Sequence, residues 1–268
     1  MTFLTVENIG QYETIIVEKE DRVAVVYLNR PPYNPLSSQL FGELSDCMDK
    51  IDQDEEIRAV IITGKGDKAL AAGADIKEMA NLGFKEITQM NKISRQAFTK
   101  IANLGKPVIA AINGLALGGG LELALCCDLR ICSDNAKLGL PEINLAIIPG
   151  GGGTQRLQRL VGQAKAKEIM FFGETLKADE ALAIGLVNKV VPLAELLDTA
   201  KEMAKKLAEK PPVAMRMLKM AIQSGAHLDM ESALDLEATC FNTAFSTQDR
   251  EEGMRAFLEK RKPEFKGY

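Results

Sequence analysis

Glu122 and Glu142 stand twenty residues apart in a stretch, 106–157, that is otherwise built mainly from apolar residues and glycines. A carboxyl in such surroundings is held above its ordinary pKa by the cost of burying its charge, and so can exchange a proton near neutrality. Two of them suit general acid–base chemistry, in which each proton transfer contributes roughly 10²–10⁴-fold in rate. A lone glutamate more often faces solvent or caps a neighbouring segment, and for either residue taken singly that reading stays open.

The glycines beside them narrow the chemistry. Gly118, Gly119 and Gly120 give up side chains just before Glu122, which lets backbone amides approach a ligand. The spacing is not the dinucleotide fingerprint, because Leu123 stands where the third glycine belongs, and no Gly-Lys-Ser/Thr of a phosphate loop occurs. An N–H aimed at a developing oxyanion is the better use. A second candidate is 71–79, where Ala72, Gly73 and Ala74 lead into Asp75, Ile76 and Lys77. Small residues there admit a ligand to the backbone, and a helix start offers unpaired N–H groups. The same segment also reads as a plain strand-to-helix connection with Asp75 as an N-terminal charge.

Other chemistries are excluded more easily. His227 is the only histidine, which argues against a Ser-His-Asp or Cys-His mechanism and against a zinc site. Two isolated carboxylates without further acidic or imidazole partners make a divalent cation an improbable guest. The five cysteines, at 47, 126, 127, 132 and 240, are odd in number and form no CxxC pair, so free buried thiols are expected.

The elements that must hold these residues follow from periodicity. Residues 14–17 and 23–28 read as a hairpin around a charged turn at 18–22. Three prolines within 31–35 forbid regular structure, and Ser37 or Ser38 then caps a helix reaching about residue 52. Apolar strands are expected at 59–63, 108–112 and 128–132, with a short one at 137–140. A helix over about 87–104 and a short apolar helix after the glycine triplet lie between them. Thr154 reads as the cap of a helix over 155–162. A short helix at 179–184 and a strand at 186–191 precede helical patterns at about 192–210, 212–224, 229–244 and 247–260. The strand–strand–helix recurrence suggests stacked ββα turns, an α/β architecture.

The chain has 268 residues, 46% hydrophobic and 26% charged, with a net charge of −4 and no basic stripe in its first 200 residues. That argues against nucleic acid as the main partner. No apolar run of membrane-spanning length occurs, and residues 1–15 lack the plan of a signal or transit peptide, so a cytoplasmic location is expected.

GADIKEM at 73–79, KPVIAAINGLALGGGLEL at 106–123, LGLPEINLAIIPGGGGTQRL at 138–157 and FLEKRKPEFKG at 257–267 together resemble the enoyl-CoA hydratase (crotonase) family. The resemblance implies a crotonase-like spiral of ββα units over 1–195 and a helical region over 196–268 that covers CoA and packs in a trimer or a hexamer of two trimers. It implies that the N–H groups of Ala74 and Gly119 bind the thioester oxygen and that Glu122 and Glu142 are the catalytic pair. It places CoA along Ala72, Ala74, Asp75, Ile76, Lys77 and Gly119, with Lys260 at the phosphates. The substrate is then an acyl-CoA, with no metal and no cofactor apart from the CoA it carries, and no membrane. One departure lies in 29–36, where this chain reads NRPPYNPL and relatives have a differently spaced loop along the CoA. Three other readings stand beside hydration: a double-bond isomerase; a specialised hydratase, such as one for methylglutaconyl-CoA; and an RNA-binding protein on the same fold. The RNA reading rests on Lys260-Arg261-Lys262 alone.

Overall fold

The computed structural model describes Glu7–Asn8 and residues 10–268. The chain starts with β1 (Glu7–Asn8), β2 (Ile15–Glu20) and β3 (Val23–Leu28), paired antiparallel. The charged residues expected to form a wide turn are mostly strand. Lys19 extends β2 because its ammonium is held by Asp54 at 2.9 Å and Glu56 at 2.6 Å. All six residues of β3 are buried, Ala24, Val26 and Leu28 in one apolar cluster and Val23, Val25 and Tyr27 in another. That is the period-2 signature of a strand covered on both faces.

Helix α1 (Ser38–Gln53) begins where expected, with the Ser37 hydroxyl accepting from Leu40 N at 3.3 Å. The spiral follows. β4 (Ala59–Gly64) joins the large sheet, β5 (Ala69–Ala72) starts a second sheet, and α2 (Ile76–Met79) and α3 (Phe84–Asn103) return the chain. β6 (Val108–Ile112) and β7 (Leu115–Leu117) repeat that step before α4 (Gly119–Cys126). β8 (Leu129–Ser133) and β9 (Lys137–Gly139) repeat it again before α5 (Gly153–Val161). Each turn therefore gives one strand to each sheet, and strands of successive turns pair in parallel.

The chain then runs through α6 (Gln163–Phe172), β10 (Thr175–Lys177), α7 (Ala178–Ala183) and β11 (Lys189–Val191). The sheets have orders β1-β2-β3-β4-β6-β8-β11 and β10-β9-β7-β5. β5, β7, β10 and α6 have no counterpart in the periodicity. The three strands are only three or four residues long, too short to show a pattern, and α6 follows α5 after Gly162 alone. Thr154 is not a cap, since α5 starts at Gly153 with Gly152 as its N-cap at φ 111°.

Four helices complete the chain: α8 (Leu196–Ala208), α9 (Pro212–Gly225), α10 (Met230–Phe245) and α11 (Gln248–Glu259). Leu196, Ala200, Ala204 and Ala208 of α8 seal the outer face of the large sheet against Ile61, Ile109 and Ile131. α9 buries no residue and is tethered by polar contacts, chiefly Lys219 to Asp128 at 2.8 Å. All five cysteines are free and buried, as expected. No described helix is long and apolar enough to cross a membrane.

Candidate active site

Glu122 owes its position to how α4 starts and ends. Gly118 sits at φ 51° and ψ −125°, a conformation open to glycine, and its N–H donates to Gly139 O at 2.9 Å. Gly120 packs so closely on β5 that a Cβ there would stand 2.0 Å from Ala71 O. At the other end the buried guanidinium of Arg130 donates to the carbonyls of Ala124 and Cys127 and to that of Leu186, tying the end of the helix to the segment after α7. The helix is thus fixed at both ends with Glu122 only 4% exposed.

The Glu122 carboxylate is gripped on one side. Its Oε1 accepts from Gly151 N at 2.8 Å and Gly153 N at 2.7 Å. Burial raises its pKa, while these backbone donors and the charge of Arg156 oppose the rise. Gly151 cannot be larger, since a Cβ would meet Phe98 Cε2 at 2.3 Å and Glu122 Oε2 at 2.8 Å.

Glu142 has the opposite surroundings. It opens a single 3-10 turn, Glu142–Leu145, that ends at Ala146 in the left-handed region. The side chain is buried, and among the described residues its Oε2 has no hydrogen-bond partner. Burial pushes its pKa up to about 7, and the Glu122 charge adds to the rise. The two carboxyls flank successive glycines. The Cβ position of Gly118 lies 2.9 Å from Glu142 Oε1, and that of Gly119 lies 4.0 Å from Glu122 Oε2.

Ala74 closes the constellation. The Gly119 Cβ position is 3.8 Å from Ala74 N. Gly119 is the first residue of α4, so its N–H has no partner within the helix. Ala74 forms an isolated parallel bridge with Leu36, in which Leu36 N donates to Gly73 O and Asp75 N donates to Leu36 O. The Ala74 N–H takes no part in that exchange. Two backbone donors and two carboxyls thus converge from three segments of the chain, with Gly119 and Glu122 sharing α4.

The remaining expected residues divide into neighbours and an outlier. Ala72 N donates to Tyr33 O at 2.9 Å, and Asp75 Oδ1 caps α2 by accepting from Lys77 N and Glu78 N. Ile76 and Lys77 are exposed beside them. Lys260 is an exposed left-handed residue ending α11 at φ 56°. The chain beyond it is pinned by Arg58, whose guanidinium donates to Phe265 O and Lys266 O at the entering end of β4, whereas Ala74 follows the leaving end of β5. Among the described residues no hydrogen bond or ion pair joins Lys260 to the other four. Arg261 is bound to Glu252 and Glu259, and Lys262 to Glu209, so that basic cluster is neutralised apart from Lys260.

Gly151 and Gly153, which donate to Glu122, and Leu36, which lies between Ala74 and Gly119, belong to the same constellation although no motif singles them out. For the two glycines the run at 150–153 is a signal, being longer than a turn requires. A cavity of about 1170 Å³ lies between α3, α5 and α9, lined among others by Cys126, Gly151 and Met215. Neither glutamate lines it. Among the described residues no group of three or more histidine, cysteine or acidic side chains could hold a metal.

Comparison with known proteins gives the following. Residues 18–268 match the family described as enoyl-CoA hydratase/isomerase. The chain is 48% identical over 255 residues to a crotonyl-CoA hydratase of Syntrophomonas wolfei, covering 95% of this chain and 98% of that one. It is likewise 48% identical, with the same coverage, to a short-chain-enoyl-CoA hydratase of Clostridium acetobutylicum. The crystal structure of an enoyl-CoA hydratase from Bacillus anthracis superposes with a TM-score of 0.93 at 43% identity, covering 96% of this chain and all of that one.

Proposed function

Since this chain belongs to the enoyl-CoA hydratase/isomerase family and is an enoyl-CoA hydratase, a hydro-lyase, we propose that Glu122 and Glu142 divide the addition of water to a 2-enoyl-CoA between them. The observation that carries this reading is the contrast in their surroundings. Glu122 has two N–H donors on one oxygen, which favour its charged form, whereas Glu142 has a buried, partnerless oxygen and a pKa of about 7. Pairs of carboxyls whose environments push them apart mark a base and an acid.

The Ala74 and Gly119 N–H groups donate to the thioester carbonyl oxygen and draw electron density from the double bond, leaving the β-carbon electrophilic. Glu122 takes a proton from water through Oε2 as the water oxygen bonds to the β-carbon. Charge develops on the thioester oxygen, facing the two donors. Glu142 then gives its proton to the α-carbon. In this reading hydroxyl and hydrogen add to one face of the double bond, and proton exchange resets the pair. The product is a 3-hydroxyacyl-CoA, and the reaction runs in both directions. The only coenzyme in this scheme is the CoA of the substrate.

The helical end, 196–268, is proposed to pack against neighbouring copies in a trimer or a pair of trimers. Leu218 and Ile222 of α9 and Leu234 and Phe241 of α10 are 54–64% exposed, a large apolar surface for a single chain. In such an assembly Lys260 would reach the CoA of a neighbour. Loss of enoyl-thioester absorbance across a series of acyl lengths tests the activity. Failure to hydrate any member would refute it.

A further inference from the structure

An oxyanion hole made from two distant segments works only if both donors hold their places to a few tenths of an ångström, and one buried side chain spaces them. Leu36 is fully buried and touches both sides. Its backbone brackets Ala74 through the Leu36 N to Gly73 O bond at 3.0 Å and the Asp75 N to Leu36 O bond at 2.9 Å. Its Cδ1 lies 3.1 Å from the Cβ position of Gly119. Leu36, however, ends an irregular loop in which three prolines cannot donate, so something else must fix it.

Arg30 supplies the fixing. Its Nη1 donates to Pro35 O at 2.6 Å, the carbonyl just before Leu36, and its Nη2 donates to Asp75 Oδ2 at 2.8 Å, the carboxylate just after Ala74. The other Asp75 oxygen is engaged by α2, and the salt bridge with Arg30 holds the Asp75 carboxyl below its usual range. Asn34, fully buried, folds the same loop by accepting from Arg30 N and donating to Ala69 O at 2.9 Å. A planar guanidinium can bridge two acceptors at once in a fixed geometry, whereas an ammonium on a flexible stem cannot hold them equally.

We propose that Arg30 is a positioning residue for the oxyanion hole, clasping Pro35 and Asp75 so that Leu36 sets the separation of the Ala74 and Gly119 N–H groups. The inference rests on the reading of those two groups as the thioester oxygen's donors. The test compares Arg30→Lys, Arg30→Met and Asp75→Asn with Gly119→Pro, measuring kcat, KM, and the carbonyl stretch of a bound enoyl-CoA by difference infrared spectroscopy. Asp75→Asn keeps the side-chain size and a capping oxygen, so it serves if the Arg30 variants do not fold. The clasp predicts a kcat loss of at least about 10-fold in each, since small misplacements of donors are costly. KM should stay within about threefold, because contacts made only in the transition state leave it unchanged. The carbonyl band should move back toward its position in free enoyl-CoA. A lowered melting temperature with kcat and band unchanged would make Arg30 merely structural, and a raised KM with intact kcat would make it a CoA contact. Either result overturns the proposal. If Gly119→Pro also leaves the band unmoved, the oxyanion reading itself fails; if it moves the band and Arg30→Lys does not, the clasp alone fails.

Discussion

Replacing Glu142 with glutamine should stabilise the fold at alkaline pH while removing activity, and the size of the effect follows from burial. The carboxyl has a folded-state pKa of about 7 against an ordinary 4.5. Below about 4.5 it is protonated in both folded and unfolded chains, and ionisation makes no difference to stability. Between about 4.5 and 7 the unfolded chain releases the proton and the folded one keeps it, so stability falls as pH rises; above 7 the full penalty is present. At 1.36 kcal/mol per tenfold change in proton affinity, that penalty is roughly 3 kcal/mol. Glutamine does not ionise and escapes it. Its amide brings a fixed cost of about 1–3 kcal/mol if a donor is left unpaired at the buried Oε2 site, and that cost does not vary with pH. The quantity to measure is therefore the difference between Glu142→Gln and wild type as a function of pH. Urea midpoints from pH 5 to 8 at one protein concentration should show the variant gaining roughly 2.5 kcal/mol over that range, part of the penalty being present already at pH 5. In thermal scans this is a relative rise on the order of 5–10 °C. A difference that stays flat over the range would refute the assigned pKa and, with it, the case for Glu142 as the acid.

Three further outcomes follow from the same geometry. Gly119→Pro removes one N–H donor and should lower kcat by roughly 10²–10³-fold; near-normal turnover in a folded variant would contradict the donor assignment. Gly151→Ala forces a Cβ to within 2.3 Å of Phe98 and 2.8 Å of Glu122 Oε2, so the loop that grips Glu122 must move; hydration should fall at least about 10-fold, and wild-type kcat would show that the grip is dispensable. Lys260→Ala should raise KM for the CoA substrate with kcat nearly unchanged if a neighbour's CoA is its partner, and an unchanged KM at low salt would leave it a solvent-exposed helix end.

How far the site was legible depended on what each residue needed from the rest of the chain. Glu122, Glu142 and the glycine triplet could be picked out because a carboxyl in an apolar run is costly and three glycines before a helix are purposeless in a core. The long strands were legible where both faces are buried, as in β3, β4 and β6. β5 and β7, which carry Ala74 and Gly119 into place, were not, because strands of three or four residues leave no period. Leu36 looked like one more apolar residue near a helix start; only the pairing of its backbone with Gly73 and Asp75 gives it a task. The Arg30–Asp75 contact spans 45 residues and has no local signature at all. Thr154 has the residue type of a cap but not the position of one: Gly152, in the left-handed region, starts α5 two residues earlier, and Gly153 N reaches Glu122.

The division of labour between the two carboxyls is tested most directly by α-proton exchange in deuterium oxide. A saturated acyl-CoA bound to wild type should exchange its α-proton, since that step uses Glu142 and the two backbone donors but no water addition. Glu122→Gln is predicted to lose several orders of magnitude in hydration yet still exchange the α-proton, while Glu142→Gln should lose both. A Glu122→Gln protein that hydrates at the wild-type rate, or a Glu142→Gln protein that still exchanges, would contradict the account.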